Sequence, residues 1–503
     1  MVDVGGRVEQ IVRDFVGPGK YFVVNRARQY GKTTMLEALG RALEPDHLVV
    51  QDTFAGRSGL FDSAFALATG FTRTMARAVA AVDQALVAAL AAPIDPVLPF
   101  DDLGERITRL CQTVDRPVVV LIDEVDRASD YEVFIGFLGL LREKYIQREA
   151  RRIATFHSVV LAGVHDIKNL KQRVRPDSQH AYNSPWNIAA PFTVNLGFGV
   201  ADIATMLAAY EADHATGMDV SDVAGRLHHF TGGYPFLVSR LCQIVDDLDL
   251  SWTDSGVSQA VTTILHEQNT LFDDVVKNLD AHADLRTLLD DCLVAGQSIP
   301  RDIYDPAVDL GLTFGLLTRD EEGIRPANIV FETVMYSYLT AWRRLREAAK
   351  TDVARHDGFA KNGVLDLDTL LVRFAEFLSR HYHHADAAFI ERQGRLLLLA
   401  YLANVVNSGG FTYVEPETRD GTRMDVVIIY GGREHIVELK IWHGQQAENE
   451  AFDQLAGYLK ARGQEMGWLL NFTANKQTPR PLIRHINHNG YAITEITAAY
   501  AAP

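Results

Sequence analysis

The sequence predicts an α/β chain: a doubly wound parallel sheet in front, an all-helical middle, and a second α/β domain at the back. Val118–Ile122 and Ser158–Val164 are continuous apolar runs, the mark of strands buried on both faces of a parallel sheet. Helical stretches alternate with those strands, as βαβ units require. Beyond residue 363, closely spaced short strands return after a long helical stretch. A length of 503 residues suits two to four domains at roughly 100–200 residues each. With 47% hydrophobic and 23% charged residues the chain can bury large cores, which excludes a disordered or fibrous protein.

Taken in order, Tyr21–Asn25 reads as a short strand, followed by a turn and a helix from about Lys32 to Leu43. Leu48–Gln51 is a second strand. Phe71–Ala92 is Ala-rich and helical, and Pro93, Pro96 and Pro99 punctuate its end. A helix over Asp101–Val114 leads into Val118–Ile122, helix Tyr131–Arg148 into Ser158–Val164, and Phe192–Leu196 is expected to add another strand. The pattern is helical from Val200 to about Leu265, broken at Thr231-Gly232-Gly233-Tyr234-Pro235. Residues 283–340 suit a small winged-helix module. After a polar linker (Lys350–Gly363) come helices over Leu367–His381 and Phe389–Asn407, then strands near 411–416, 423–430 and 434–440. A helix over Gln446–Ala461 and strands Met466–Phe472 and Tyr491–Ile496 finish the chain. The expected organisation is a nucleotide-binding core over 1–199, a helical lid over 200–282, a winged-helix-like module over 283–350, a linker and helix over 351–380, and an α/β domain over 381–503.

Composition narrows the function. A net charge of -16 argues against a simple basic nucleic-acid coat protein. From Gly363 onward 13 Lys/Arg face 16 Asp/Glu, so the back is nearly neutral and the front carries most of the negative charge. No apolar run approaches the ~18 residues of a membrane span, and Met1–Gln10 lacks the basic start and apolar core of a signal peptide. Cys111, Cys242 and Cys292 are scattered without metal-site spacing, so the expected compartment is the reducing cytoplasm, away from any membrane.

The first constellation is Arg26-Ala27-Arg28-Gln29-Tyr30-Gly31-Lys32-Thr33-Thr34, between an apolar strand and a helix. A phosphate-binding loop needs backbone N–H groups at a helix N-terminus, a Lys for the outer phosphates and a hydroxyl for Mg²⁺. Gly31, Lys32 and Thr33 supply the turn, the cation and the hydroxyl, although Arg26 stands where the pattern has its first Gly. The apolar strand to Ile122 ends in Asp123-Glu124. There Asp123 would hold Mg²⁺ through water and Glu124 would polarise the water attacking the γ-phosphate. Gly-Lys-Thr also suits a helix cap, and Asp-Glu a solvated turn. The order of strand, loop, helix and acidic strand end decides for the nucleotide site.

These segments resemble a bacterial AAA-like, STAND-related family of P-loop ATPases. The likeness extends to Leu121-Ile122-Asp123-Glu124-Val125-Asp126, to Leu161–Leu170 and to Tyr182–Ala190. Many of its members carry a C-terminal nuclease-like domain, and Arg in place of the first loop Gly is usual among them. The resemblance implies ATP as ligand, with Arg26, Arg28, Gln29, Tyr30, Gly31, Lys32, Thr33 and Thr34 around it. It implies that His165 reads the γ-phosphate, with a strand-end histidine as the plainer alternative. It also implies that Pro235 packs near the adenine, the alternative being a helix–helix turn. Lys168, Lys171, Arg173 and Arg175 form either a solvated charge run or the source of an arginine finger.

The second constellation begins at Asp425 on an apolar strand; thirteen residues on, Glu438-Leu439-Lys440 closes another. Residues two apart share a face of a strand, so Glu438 and Lys440 act together. An acid on one strand and Glu-x-Lys on its neighbour is how a PD-(D/E)xK nuclease builds its site. Asp425 and Glu438 would hold Mg²⁺ or Mn²⁺, and Lys440 would orient or deprotonate the attacking water. Gln454 and Tyr458 share a helix face at i, i+4, and this spacing resembles the RecB-like branch, where it positions substrate. Glu391 matches an acid that such nucleases often add to the metal site. Trp442 and Trp468 suit either base stacking or a core.

The reading is thus an ATPase fused to a metal-dependent nuclease, with nucleotide state gating the cut. The expected partner is nucleic acid, DNA in preference to RNA, with a homo-oligomer or a protein partner open as trigger. Defence against foreign DNA suits such an architecture by analogy alone. The rival is an ATP-dependent regulatory switch or scaffold whose nuclease-like domain grips nucleic acid or a partner without cutting.

Overall fold

Two-sided burial selects the strands of the front unit. Val118 to Ile122 is at most 2% exposed, and each buried side chain contributes roughly 1.5–3 kcal/mol, more than the ~1 kcal/mol spanned by β-propensity. The computed structural model describes residues 2–80, 83–128, 132–164, 186–294, 299, 302, 304–320, 323–347, 359–361, 364–381, 394–395, 398–399, 401–402, 406, 410–413, 426–442, 445–473 and 482–499. Strands β1 (Tyr21–Asn25), β2 (Leu48–Thr53), β3 (Val118–Asp123) and β4 (Ser158–Gly163) form a four-stranded sheet in the order β1-β4-β3-β2. All three pairings are parallel.

Helices cover both faces of this sheet. On one side α1 (Gly5–Ile11, running on as a π-turn to Val16) and α2 (Lys32–Leu43) bury Phe22, Val24, Leu121 and Ala162. On the other, α3 (Ala64–Val79), α4 (Gln84–Ala91), α5 (Pro99–Thr113) and α6 (Glu132–Glu149) bury Tyr21, Val23, Val120 and Leu161. The helix expected over Phe71–Ala92 is two helices. Asp83 accepts the Leu86 amide at 2.9 Å and so caps α4 as a separate start. Buried Arg106 then collects the carbonyls where α4 ends: Leu90 at 2.7 Å, the C-cap residue Ala92 at 2.9 Å and Pro93 at 2.8 Å.

The strand expected over Phe192–Leu196 does not form. Ala190 makes a single bridge to Phe22, while Val194 and Leu196 pack on the core. The carbonyls that a ladder would need go to side chains instead: Val194 to Arg26 at 2.9 Å, Asn195 and Gly197 to Arg7 at 3.0 and 2.8 Å.

The chain divides into two compact units. The first is Met1–Phe198 with Tyr234–Phe236 and Thr313–Gly315; the second holds Gly199–Gly233, Leu237–Leu312 and Leu316–Pro503. Beyond Phe198 come helices α7 (Val200–His214), α8 (Val220–Thr231), α9 (Pro235–Asp247), α10 (Asp254–His266), α11 (Thr270–Ala281) and α12 (Ala283–Leu289), all in the second unit except the first two residues of α9. Helix α13 (Pro306–Thr313), the hairpin β5 (Leu317–Arg319) and β6 (Ile324–Pro326), and α14 (Ile329–Glu347) follow. Two-residue strands β7 (Ala360–Lys361) and β8 (Val364–Leu365) precede α15 (Leu367–His381).

The last part is a six-stranded mixed sheet. Strands β9 (Gly410–Tyr413), β10 (Val426–Tyr430) and β11 (Arg433–Ile441) form an antiparallel meander. Helix α16 (Gln445–Ala461) leads to β12 (Met466–Thr473), which runs parallel to β11. Strand β13 (Leu482–His488) pairs antiparallel with β14 (Tyr491–Ala499), and β14 lies parallel to β12. The order is β13-β14-β12-β11-β10-β9. β13 escapes the sequence reading because Arg484, His485, Asn487 and His488 interrupt any apolar signal. Helix α16 covers one face, where a Cβ on Gly467 would come within 3.1 Å of Leu455 and Leu459. On the other, Trp468 Nε1 donates to Asp368 of α15 at 2.6 Å, so Trp468 is a core residue. Among the described residues no helix is long and apolar enough to cross a membrane.

Candidate functional site

The loop after β1 is built to turn sharply into a helix. Gln29 and Gly31 adopt left-handed backbone, φ 53° and 78°, and the glycine at 31 is required by its angle, since a Cβ there would meet nothing within 4 Å. Gly31 is the N-cap of α2 and brings no side chain to the first-turn amides, which therefore suit an anionic oxygen. Lys32 Nζ donates to the carbonyls of Arg26 at 2.9 Å and Ala27 at 2.8 Å, lying across the loop. Burial lowers its pKa, opposed by Asp126, Asp123 and Glu124. Thr34 sits exposed in the same first turn.

Strand β3 delivers the acids. Thr33 Oγ1 donates to Asp123 Oδ2 at 2.6 Å, and Asp123 Oδ1 accepts the Glu124 amide at 2.8 Å. Glu124 is exposed with a left-handed φ of 52°, and its Oε2 lies 3.3 Å from Arg127. Asp126 was not singled out from sequence. Its Oδ2 accepts the amide of Val164 at 2.6 Å, so it pins the end of β4 beside Asp123. A Cβ on Gly163 would meet Asp126 Oδ1 at 2.9 Å, so glycine there lets the carboxylate approach. No local signal marks which acid after a strand will hold a distant amide.

Arg26 has a structural part to play in the loop. Its guanidinium donates to the carbonyls of Asn25 and Val194, both at 2.9 Å, and lies 5.3 Å from the Phe192 ring centroid. It thereby ties the loop to the segment after Ala190, and burial lowers its pKa. Beside it the Tyr234 hydroxyl donates to the Arg28 carbonyl, and the Tyr30 and Tyr234 rings meet edge to face at 4.8 Å. Burial raises the Tyr30 pKa. Pro235 follows as the first residue of α9. His165 and the basic residues 168–175 lie outside the described residues.

In the C-terminal sheet, Glu438 is 0% exposed and its Oε1 lies 3.0 Å from Lys440 Nζ. Both belong to β11, with Leu469 and Asn471 of β12 as their register partners. Val426 pairs with Val437, one residue before Glu438. Asp425 and Glu391 lie outside the described residues. On α16, Gln454 Nε2 donates to the Tyr458 hydroxyl at 2.8 Å, so the two side chains act as one group. Among the described residues no three His, Cys, Asp or Glu side chains are grouped to hold a metal.

A polar cluster next to Lys440 escaped the sequence reading. Asn471 donates to Glu495 Oε1 at 2.6 Å and Arg484 Nε to Glu495 Oε2 at 2.7 Å. Arg484 also bonds Glu448, whose other oxygen accepts the Trp442 indole at 3.3 Å. Trp442 is 46% exposed. These residues come from β11, α16, β12, β13 and β14, so only the folded sheet gathers them.

No protein-family model matches the chain. It is 23% identical over 257 residues to an uncharacterized WD repeat-containing protein of Synechocystis sp. (strain ATCC 27184 / PCC 6803 / Kazusa), a match covering 47% of this chain. The chain spans only 20% of that relative's length. Among solved structures, the Walker-type ATPase of Pyrococcus abyssi aligns at TM-score 0.41 and 12% identity, over 67% of this chain and 96% of that one. The ORC2 protein of Aeropyrum pernix in its ADPNP-ADP complexes aligns at 0.39 and 12%, over 69% and 95%. The ORC1 protein of Aeropyrum pernix in complex with DNA aligns at 0.31 and 12%, over 69% and 94%.

Proposed function

We propose that the chain binds and hydrolyses ATP in an AAA-like, STAND-related P-loop site, and that its C-terminal domain is a metal-dependent nucleic-acid phosphodiesterase under nucleotide control. One observation carries the ATPase half: the 2.6 Å contact between Thr33 Oγ1 and Asp123 Oδ2. It joins a hydroxyl in the first turn of α2 to a carboxylate at the end of β3, a pair of hard oxygens suited to Mg²⁺. Thr33 and Asp123 would hold that ion, which supplies charge neutralisation at the phosphate oxygens. The amides of Gly31 to Thr33 bind the phosphates, and Lys32 Nζ reaches the outer ones. Glu124 accepts a proton from the attacking water, with Arg127 fixing its carboxylate. His165 at the γ-phosphate and Pro235 near the base complete the reading. ATP-dependent phosphate release by wild type and its loss in Glu124→Gln is the test.

The nuclease half rests on Glu438 and Lys440 in register on β11, next to the antiparallel β10 that Asp425 precedes in sequence. Glu438, Asp425 and Glu391 would hold Mg²⁺ or Mn²⁺, Lys440 would neutralise developing charge, and Gln454 with Tyr458 would position a DNA strand. A second reading draws on the close Glu438–Lys440 pair, since a lysine engaged at 3.0 Å is less available for chemistry. There the domain grips nucleic acid without cutting and the chain is an ATP-dependent switch. Incubation with linear, circular and single-stranded DNA and with RNA separates them. Cleavage abolished by EDTA supports the nuclease, and binding without cleavage supports the switch.

A further inference from the structure

The second unit contains a buried ionic joint between a lid helix and the strand of the proposed nuclease site. Arg226 on α8 donates to Glu434 Oε2 on β11 at 2.7 Å, with the two side chains 7% and 8% exposed. Arg226 also reaches Asp254 at 3.6 Å and Ser258 at 3.4 Å, both on α10, and its guanidinium lies 4.6 Å from the Phe230 ring. Phe230 in turn meets Phe411 and Tyr413 of β9 edge to face at 6.0 and 6.1 Å. Arg462, just after α16, stands 3.9 Å from the other Glu434 oxygen and 3.4 Å from the His229 ring. Ser255 donates to the carbonyl of Gly432 in the β10–β11 turn at 3.2 Å. A Cβ on Gly432 would come within 2.8 Å of Ser255 Oγ, so this turn is fitted to α10.

Two facts give the joint direction. Glu434, Ile436, Glu438 and Lys440 alternate along β11 and so share a face, which means that α8 is fastened to the face carrying the proposed nuclease residues. At its other end α8 stops at Gly232 and Gly233, both left-handed, with φ 56° and 73°. The next residue is Tyr234, whose hydroxyl bonds the Arg28 carbonyl in the phosphate-binding loop. Gly232 is held in turn, since a Cβ there would come within 2.6 Å of the Ala327 carbonyl.

We infer that α8 is a lever: a change at Tyr234 when nucleotide occupies the loop is carried along α8 to the β10–β11 hairpin through the Arg226–Glu434 joint. This rests on the nucleotide-control reading above and names the part that would transmit it. A charged joint has the discreteness that a two-state coupling needs, because a buried pair is either made or broken.

Hydrogen exchange on the full chain tests it, with and without saturating Mg²⁺ and a non-hydrolysable ATP analogue. In wild type, amides of the loop (26–34) should gain protection, and exchange in the hairpin (427–437) should change by at least about fivefold, the lower end of ordinary allosteric coupling. In Glu434→Gln, which keeps the shape of the side chain, loop protection should persist while the hairpin response falls below about twofold. Arg226→Met with Glu434→Leu removes both charges together and guards against an unfolded single variant; the same loss is expected. A hairpin in wild type that ignores nucleotide while the loop is protected overturns the lever, as does a response surviving in both variants. A loop that gains no protection defeats the ATP reading and the lever with it. A chain that never cuts nucleic acid defeats the nuclease reading alone, because the hairpin readout needs no cleavage.

Discussion

Lys32 and Glu124 address different stages of the proposed reaction, so their variants should separate. Lys32→Ala removes the cation from the outer phosphates, and ATP affinity should fall at least about tenfold, near 1.4 kcal/mol. Glu124→Gln keeps size but not the proton acceptor; ATP should still bind while phosphate release drops at least about a hundredfold. Nucleotide titration and a phosphate-release assay read the two, and unchanged turnover in Glu124→Gln would remove that assignment. At this scale, chain proximity decided what the sequence could reveal. Gly31, Lys32 and Thr33 are neighbours whose order follows from the loop they build. Arg26 was not interpretable in the same way, because its partner carbonyl belongs to Val194, and Asp126 needed the amide of Val164 to acquire a purpose.

Strands and helices follow the same logic through burial and caps. The runs buried on both faces were read from the sequence because nothing but a parallel sheet accommodates them so simply. The division of the helical stretch after Phe71 was less visible, since it depends on Asp83 as a cap and on Arg106 as a collector of carbonyls from the end of α4. Arg106→Met keeps the aliphatic stem but leaves those carbonyls without their donor. It should lower stability by about 2–4 kcal/mol, read as a fall in urea midpoint with early exchange of residues 84–91. On β11, Lys440→Ala should lower the cleavage rate more than nucleic-acid affinity, whereas Gln454→Ala should be milder because it acts through Tyr458. Normal cutting by Lys440→Ala would refute the assignment of that strand as the chemical one.

For the whole molecule, two tests concern control and acid. Cleavage by wild type should change at least about fivefold among no nucleotide, ADP and an ATP analogue, and Lys32→Ala should lose that dependence; equal rates with saturation verified would leave two independent activities. Burial, reinforced by Arg462, Arg226 and His228, lowers the His229 pKa to about 3; burial and Arg433 lower that of His435 to about 4. The unfolded chain, with histidines near 6.5, therefore binds more protons between those values and about 6.5. Stability must rise with pH across that window and fall as acid is added. The urea midpoint should drop from pH 7 to pH 5, and His435→Phe, which preserves the ring against Trp468, should shrink the drop by about one proton's share. An equal drop in His435→Phe would count against a buried neutral imidazole.

Glu124 also bears on how this chain would behave under laboratory selection. Its left-handed backbone costs a residue with a Cβ of order 1 kcal/mol that glycine would not incur. A library sorted for heat resistance alone should therefore enrich Gly, or Asn, at position 124. With Glu124 as the proton acceptor of the proposed hydrolysis, the survivors would be sturdier and inert. Screening for robustness and screening for turnover would pull this one position in opposite directions.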